Sequence, residues 1–249
     1  MTVHIPPLTR TMKVLLSTLL GSWIVLTILG QKVFGLPIFT WLGLVPSQIF
    51  QSFWLWQPVT YMFLHSWDVS HLILNLLMTW FVGSELERVW GSRRFLKYYF
   101  FTGIGAGLLY TALTGIIYWT LERGEELFYV PVVGSSGAVF GLFLAFGKIF
   151  GERVIYFMFL FPMKAKHFVM ILALIEFLSL MGSSVAGGEV ANLAHLGGLL
   201  SGLLYFLLIE GNKYRGNGLP PFRKKSYPFK IISNQSFENE DKPPTRYWN

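Results

Sequence analysis

The residues able to do chemistry in this chain are few, and they stand in apolar surroundings. Gly134-Ser135-Ser136-Gly137 opens directly into the apolar run Ala138-Val139-Phe140. His195 stands in "AHLGGLLSG", and His71 and Asn75 are four apart in "SHLILNLLMTW". A serine hydroxyl beside an imidazole is an activated nucleophile with its base. Acyl transfer by such a pair also needs donors aimed at the developing oxyanion. An imidazole N–H and an Asn side-chain NH2 are suitable, and at i and i+4 they project from one helix face. The backbone N–H of Ser136, at a helix N-terminus, is a third donor. Gly134 and Gly137 let the chain turn into that helix with its N–H groups exposed. Each residue also has an ordinary explanation: Ser136 as an N-cap, and His71, Asn75 and His195 as interhelical hydrogen-bond glue. Those explanations do not predict that His71, Ser136 and His195 lie at one depth.

The depth argument comes from the elements that carry them. The 249 residues are 53% hydrophobic and 13% charged, with a mean hydropathy of +0.51. Soluble domains carry about 25% charged residues, so this is a polytopic, all-α membrane protein. Cysteine is absent, which excludes disulfides, thiolate metal sites and a cysteine nucleophile. Six apolar segments of roughly bilayer length fall near 13–33, 70–89, 95–119, 135–150, 167–182 and 192–210. The stretch "RVIYFMFLFP" after the fourth reads as interfacial or partly re-entrant. The first resembles a signal peptide but lacks a small-x-small cleavage site, so it reads as a retained anchor.

Lys and Arg cluster in alternate loops: Arg10 and Lys13; Arg88, Arg93, Arg94 and Lys97; Lys148, Arg153, Lys164 and Lys166; Lys213 and beyond. By the positive-inside rule both termini are cytoplasmic. The net charge of +7 is then a topology signal and a contact for anionic membrane lipid, and no nucleic-acid partner is expected. The aromatic-rich segment 34–69 reads as a long external loop lying in the outer leaflet. Residues 1–12 form a cytoplasmic N-terminus, 13–210 the membrane domain, and 211–249 a basic, disordered cytoplasmic tail. Spans two, four and six all run inward, so His71, Ser136 and His195 share the outer half of the bilayer.

Small residues suggest how they meet. Gly137 and Gly141 are at i and i+4 in span four, and Gly198 and Gly202 follow His195 on one face of span six. Such spacing allows close backbone approach and would bring Ser136 within hydrogen-bonding distance of His195. Of the carboxyl groups, Asp68 lies nearer His71 in sequence, and Asp241 is in the tail. Glu176 and Glu189 could serve by proximity, but nothing in their spacing selects them. The reading is a Ser–His dyad, with Phe140, one turn after Ser136, as the ring to stack on the imidazole. No metalloprotease motif, nucleophile elbow or phosphate loop is present, and no cofactor or metal is called for.

Taken together, these residues resemble the rhomboid family of intramembrane serine proteases, of the bacterial six-helix type. Gly134-Ser135-Ser136-Gly137 is similar to the family's Gly-x-Ser-Gly, with Ser136 at the nucleophile's place. His195 takes the base position, followed by Gly198 and Gly202 and preceded by Asn192, which also has a counterpart. His71 and Asn75 match the His-x-x-x-Asn assigned to the oxyanion. Phe140 stands where the family has an aromatic against the catalytic His. Glu87, Gly91 and Ser92 fit the turn after the second helix. One departure is Gln57 after Trp56, where the family often has Arg. The resemblance implies hydrolysis of a peptide bond in or near the transmembrane helix of a substrate protein, in the bacterial cytoplasmic membrane. It also implies lateral substrate entry near the fifth helix, and the glycines of "GSSVAGGEVAN" suit a cap over the site. The competing reading is a non-catalytic relative that binds transmembrane segments.

Overall fold

The computed structural model describes residues 6, 8–122, 124–157, 161–182 and 188–210. The expected tail, the first residues of the chain and much of the expected cap (183–187) lie outside the described residues. Helix α1 (Arg10–Val33) begins where Thr9 Oγ accepts a hydrogen bond from Met12 N at 3.0 Å, and its later part, Trp23–Val33, winds as a π-helix. Short helices α2 (Ile38–Leu42), α3 (Pro46–Ser52) and α4 (Gln57–Thr60) follow. Helix α5 (Val69–Trp90) is capped by Asp68, which accepts from Ser70 N at 2.9 Å. That carboxyl is held below its usual range by its hydrogen bonds to Ser70. Asp68 thus serves as the N-cap of α5.

Gly91, at φ +76°, reverses the chain into α6 (Ser92–Leu121), a conformation that a side chain would strain. Buried Glu87 secures the reversal by accepting from Thr9 Oγ at 2.6 Å and Ser92 Oγ at 2.7 Å. After α7 (Glu125–Tyr129) come α8 (Ser136–Ile149), a β-hairpin, α9 (Ala165–Gly182) and α10 (Gly188–Tyr205), which continues in π form over Phe206–Glu210. Four helices, Arg10–Val33, Val69–Trp90, Ser92–Leu121 and Ala191–Ile209, are long and apolar enough to cross a membrane, and Ser136–Ile149 is apolar but shorter. The chain is thus a mostly helical membrane protein.

The stretch after α8 is a hairpin. Strand β1 (Val154–Phe157) pairs antiparallel with β2 (Phe161–Lys164), Val154 opposite Lys164. Val, Ile, Tyr and Phe favour a pleated surface, and Pro162 cannot continue a helix. The hairpin exposes Val154, Tyr156 and Phe161. Arg153 reaches back to Glu85 of α5 at 2.9 Å. At its base Glu152 pairs with Lys164 and Lys166, whose charges and hydrogen bonds hold its carboxyl down at about 2.

Helices α6, α8 and α10 form the centre, and the glycines decide how close they come. A Cβ on Gly198 of α10 would fall inside the carbonyl group of Gly137 of α8. The glycines of α8 itself come closest to α6: a Cβ on Gly137 would stand 2.7 Å from Ala106 Cβ, and one on Gly141 would collide with Thr102, both on α6. A Cβ on Gly202 would meet Tyr98 Oη at 2.6 Å and Leu144 at 2.9 Å. All four glycines do lie along the α8–α10 contact, where a Cβ on Gly202 would come 3.6 Å from Gly141 Cα and one on Gly137 3.5 Å from Ala194 O, but the expected two-helix seam needs correction because α6 enters it as well. Gly198 presses on the backbone of α8, Gly202 faces Tyr98 of α6 as well as Leu144, and Gly137 and Gly141 admit α6. Tyr98 of α6 closes the joint by donating to Gly141 O at 2.7 Å.

Candidate functional site

Ser136 is the first residue of α8, and neither serine is an N-cap in the usual sense. Ser135 occupies that position without a side-chain cap bond. Val139 N donates to Ser135 O at 3.1 Å, so the N–H groups of Ser136, Gly137 and Ala138 precede the first helical donor. The preceding turn is held from two sides. Leu44 and Val132 exchange N–H···O bonds of 2.9 Å, and Gly134 N donates to Tyr61 O at 3.0 Å. Gly134 sits at φ +129°, and a Cβ there would stand 3.0–3.1 Å from His71 Cε1 and Nε2. Only glycine suits this position, both for its conformation and because the imidazole of His71 lies against it.

His71 is the third residue of α5. Its Nδ1 accepts from Ser66 N at 3.4 Å and lies 3.1 Å from Ser66 Oγ. A backbone N–H can only donate, so the ring proton of neutral His71 is on Nε2, the atom facing Gly134. Asn75 is buried one turn on. Its Oδ1 accepts from Ser135 Oγ at 3.2 Å and its Nδ2 donates to His71 O at 2.8 Å. One N–H of that amide remains uncommitted. Both residues thus keep a donor.

His195 lies about two turns into α10, further from the helix start than expected. Its ring lies flat on Phe140, with centroids 4.1 Å apart and planes at 11°. Its Nδ1 is 3.1 Å from Glu176 Oε2 of α9. His71, Asn75, Ser136, Phe140 and His195 line one cavity of about 550 Å³, closed by apolar residues that include Leu74, Met78, Val139 and Phe143. No hydrogen bond joins Ser136 to His195 among the described residues, although the sequence led to the expectation of one. Asn192 is half-buried and is not a lining residue. Glu189's side chain lies outside the described atoms.

Chemically, the cavity offers a hydroxyl at a helix N-terminus, an imidazole on a fixed aromatic plane, two side-chain donors and free backbone N–H groups. No cluster of His, Cys, Asp or Glu able to hold a metal ion occurs among the described residues. A family model described as the rhomboid domain matches residues 52–211. The chain belongs to the rhomboid family. YdcA of Bacillus subtilis (strain 168) is 35% identical over 163 residues, covering 64% of this chain and 70% of its own length. The mitochondrial Rhomboid protein 1 of Saccharomyces cerevisiae is 30% identical over 135 residues, covering 54% of this chain and 36% of that protein. The rhomboid protease GlpG of Yersinia pseudotuberculosis is 26% identical over 199 residues, covering 80% and 61%. The chain thus spans less than two thirds of the yeast and Yersinia proteins.

Within this rhomboid chain, two further residues shape the site without having stood out in sequence, and a third, Gln57, stood out only as a departure from the family's pattern. His65 is fully buried, and its Nε2 lies 3.3 Å from Ser135 Oγ. Burial, and then the neighbouring His71, push its imidazole down to about 3. Tyr61 anchors the turn through its carbonyl while its hydroxyl donates to Gly103 O at 2.6 Å. Gln57, the departure from the family's Arg, is fully buried and fully engaged. It accepts from Val45 N at 2.9 Å and donates to Thr40 O at 3.0 Å and Gln48 Oε1 at 2.6 Å. A lone His, Tyr or Gln in an aromatic loop carries no periodic signal, so only the fold reveals these roles.

Proposed function

We propose that this rhomboid protein is an intramembrane serine endopeptidase acting on transmembrane protein substrates. In this reading six helices span the bilayer, both termini are cytoplasmic, and the cavity opens toward the external face. Ser136 Oγ attacks the scissile carbonyl carbon and its proton passes to His195 Nε2. The carbonyl oxygen becomes an oxyanion, stabilised by His71 Nε2–H, Asn75 Nδ2–H and the N–H of Ser136. When the C–N bond breaks, His195 returns the proton to the leaving amine. Water then attacks the acyl-serine, with His195 again as base, and regenerates the hydroxyl.

The observation that carries this reading is the flat stack of His195 on Phe140 in the same cavity as Ser136. A ring held in that plane loses little freedom on reaching a transition state. The names of relatives such as the rhomboid protease GlpG support the same chemistry. The test is cleavage of a transmembrane substrate by purified protein in detergent, with labelling by a fluorophosphonate. Ser136→Ala should abolish both, and His195→Ala should abolish cleavage, each leaving the melting temperature near wild type. A wild-type protein that neither cleaves nor takes the label would be a non-catalytic relative.

A further inference from the structure

Glu176 is an ionisable residue in the middle of α9, amid exposed apolar side chains such as Leu174, Ile175, Phe177 and Leu178. Its own side chain is turned inward, with 13% exposure against 18% for His195. Glu176 Oε2 lies 3.1 Å from His195 Nδ1, and neither atom has a hydrogen-bond partner of good geometry. The distance is that of an N–H···O bond and the angle is not, so a small rotation of either side chain completes it. A carboxyl group inside a membrane helix is costly unless it serves a partner, and His195 is the partner within reach.

On the proposed function rests a more specific role, and we infer that Glu176 is a positioning residue for His195. A carboxylate at Nδ1 holds the ring proton there and leaves the Nε2 lone pair free to accept the proton of Ser136. When His195 becomes an imidazolium, the same carboxylate stabilises its charge. The ring is then fixed on its face by Phe140 and at its edge by Glu176. The Ser136–His195 pair does the proton transfer, and its base is held from two other helices, by Phe140 of α8 and Glu176 of α9, rather than by apolar packing alone.

Two measurements test this on the full chain in lipid nanodiscs. The first is the rate of Ser136 labelling by a fluorophosphonate, with kcat and KM for a transmembrane substrate. Glu176→Gln keeps the side chain's size and Glu176→Leu removes its polarity. We expect Glu176→Gln to lower labelling rate and kcat about tenfold with KM within about twofold, and Glu176→Leu to lower them more. The second is the ¹⁵N spectrum of labelled histidine, with the His195 signal assigned by its loss in His195→Ala. Wild type should show the Nδ1–H tautomer, and Glu176→Leu should shift it toward Nε2–H, a change that a merely structural residue would not produce. An undiminished labelling rate in either folded variant overturns the inference, as does an unchanged tautomer in Glu176→Leu. If wild type is not labelled at all, the proposed protease function fails, while the tautomer still reports on the contact.

Discussion

Ser135 and Ser136 carry the same side chain one residue apart, yet their surroundings separate them. Ser136 opens into the cavity, whereas Ser135 is fully buried and donates to Asn75 Oδ1. Ser135 is therefore more than a neighbour of the proposed nucleophile, because it orients the amide proposed to face the oxyanion. Losing a whole oxyanion donor costs about 10²–10³ in kcat, and loosening one should cost less, roughly tenfold. Ser135→Ala should accordingly lower kcat with little change in KM, whereas Ser136→Ala should leave no turnover. Equal loss in both would show that the two serines had been given the wrong roles. His65, on the other side of Ser135, makes a pH prediction. Its folded value near 3 lies below the ordinary 6.5. Between those values the unfolded chain binds a proton that the folded chain does not. Its contribution to stability is therefore whole above pH 6.5 and declines as pH falls toward 3, by up to about 1.4 kcal/mol per pH unit. Thermal melts in detergent at pH 7.5 and 5 should show this decline, and His65→Gln should flatten it. An equally steep decline in that variant would assign it to other groups.

At the scale of elements, the site depends on the approach of α10 to α8. The carbonyl of Gly137 occupies the place where a Gly198 side chain would begin, and that obstacle is backbone. Because even a methyl group collides, Gly198→Ala should already be damaging, and Gly198→Val more so. Overpacking of this kind costs about 1–3 kcal/mol. The melting temperature should fall, and cleavage with it, because His195 lies one turn before the glycine on the same helix. Leu204→Val, at an exposed position on that helix, should change neither. Wild-type activity and melting temperature in Gly198→Ala would mean that the helices do not meet there.

For the whole molecule, orientation in the membrane determines which face supplies water to the cavity. Both ends of the chain are expected in the cytoplasm, with the segment 34–69 outside. Alkaline phosphatase fused after residue 50 should be active, and the same enzyme fused at the C-terminus inactive, with a cytoplasmic reporter giving the opposite pattern. An active C-terminal fusion would turn Ser136 toward the cytoplasm and remove the proposed route for external water.

The sequence by itself determined the membrane class and the family, and it singled out the residues of the candidate site. Composition limits where charge can go, so each polar residue inside an apolar segment is conspicuous. Gly-x-Ser-Gly, His-x-x-x-Asn and the His195 glycines are local patterns that need no partner to be read. Phe140 was legible in the same way, one turn from Ser136 and stacked on His195 in the fold. What the sequence could not express is any relation between segments without a shared period. Gly137 and Gly141 looked like half of one seam, but whether a glycine's bare face meets α6 or α10 depends on helix rotation, which small residues permit without specifying. Glu176 was equally out of reach. It stands nineteen positions before His195, and only the packing of α9 on α10 brings its carboxyl to Nδ1.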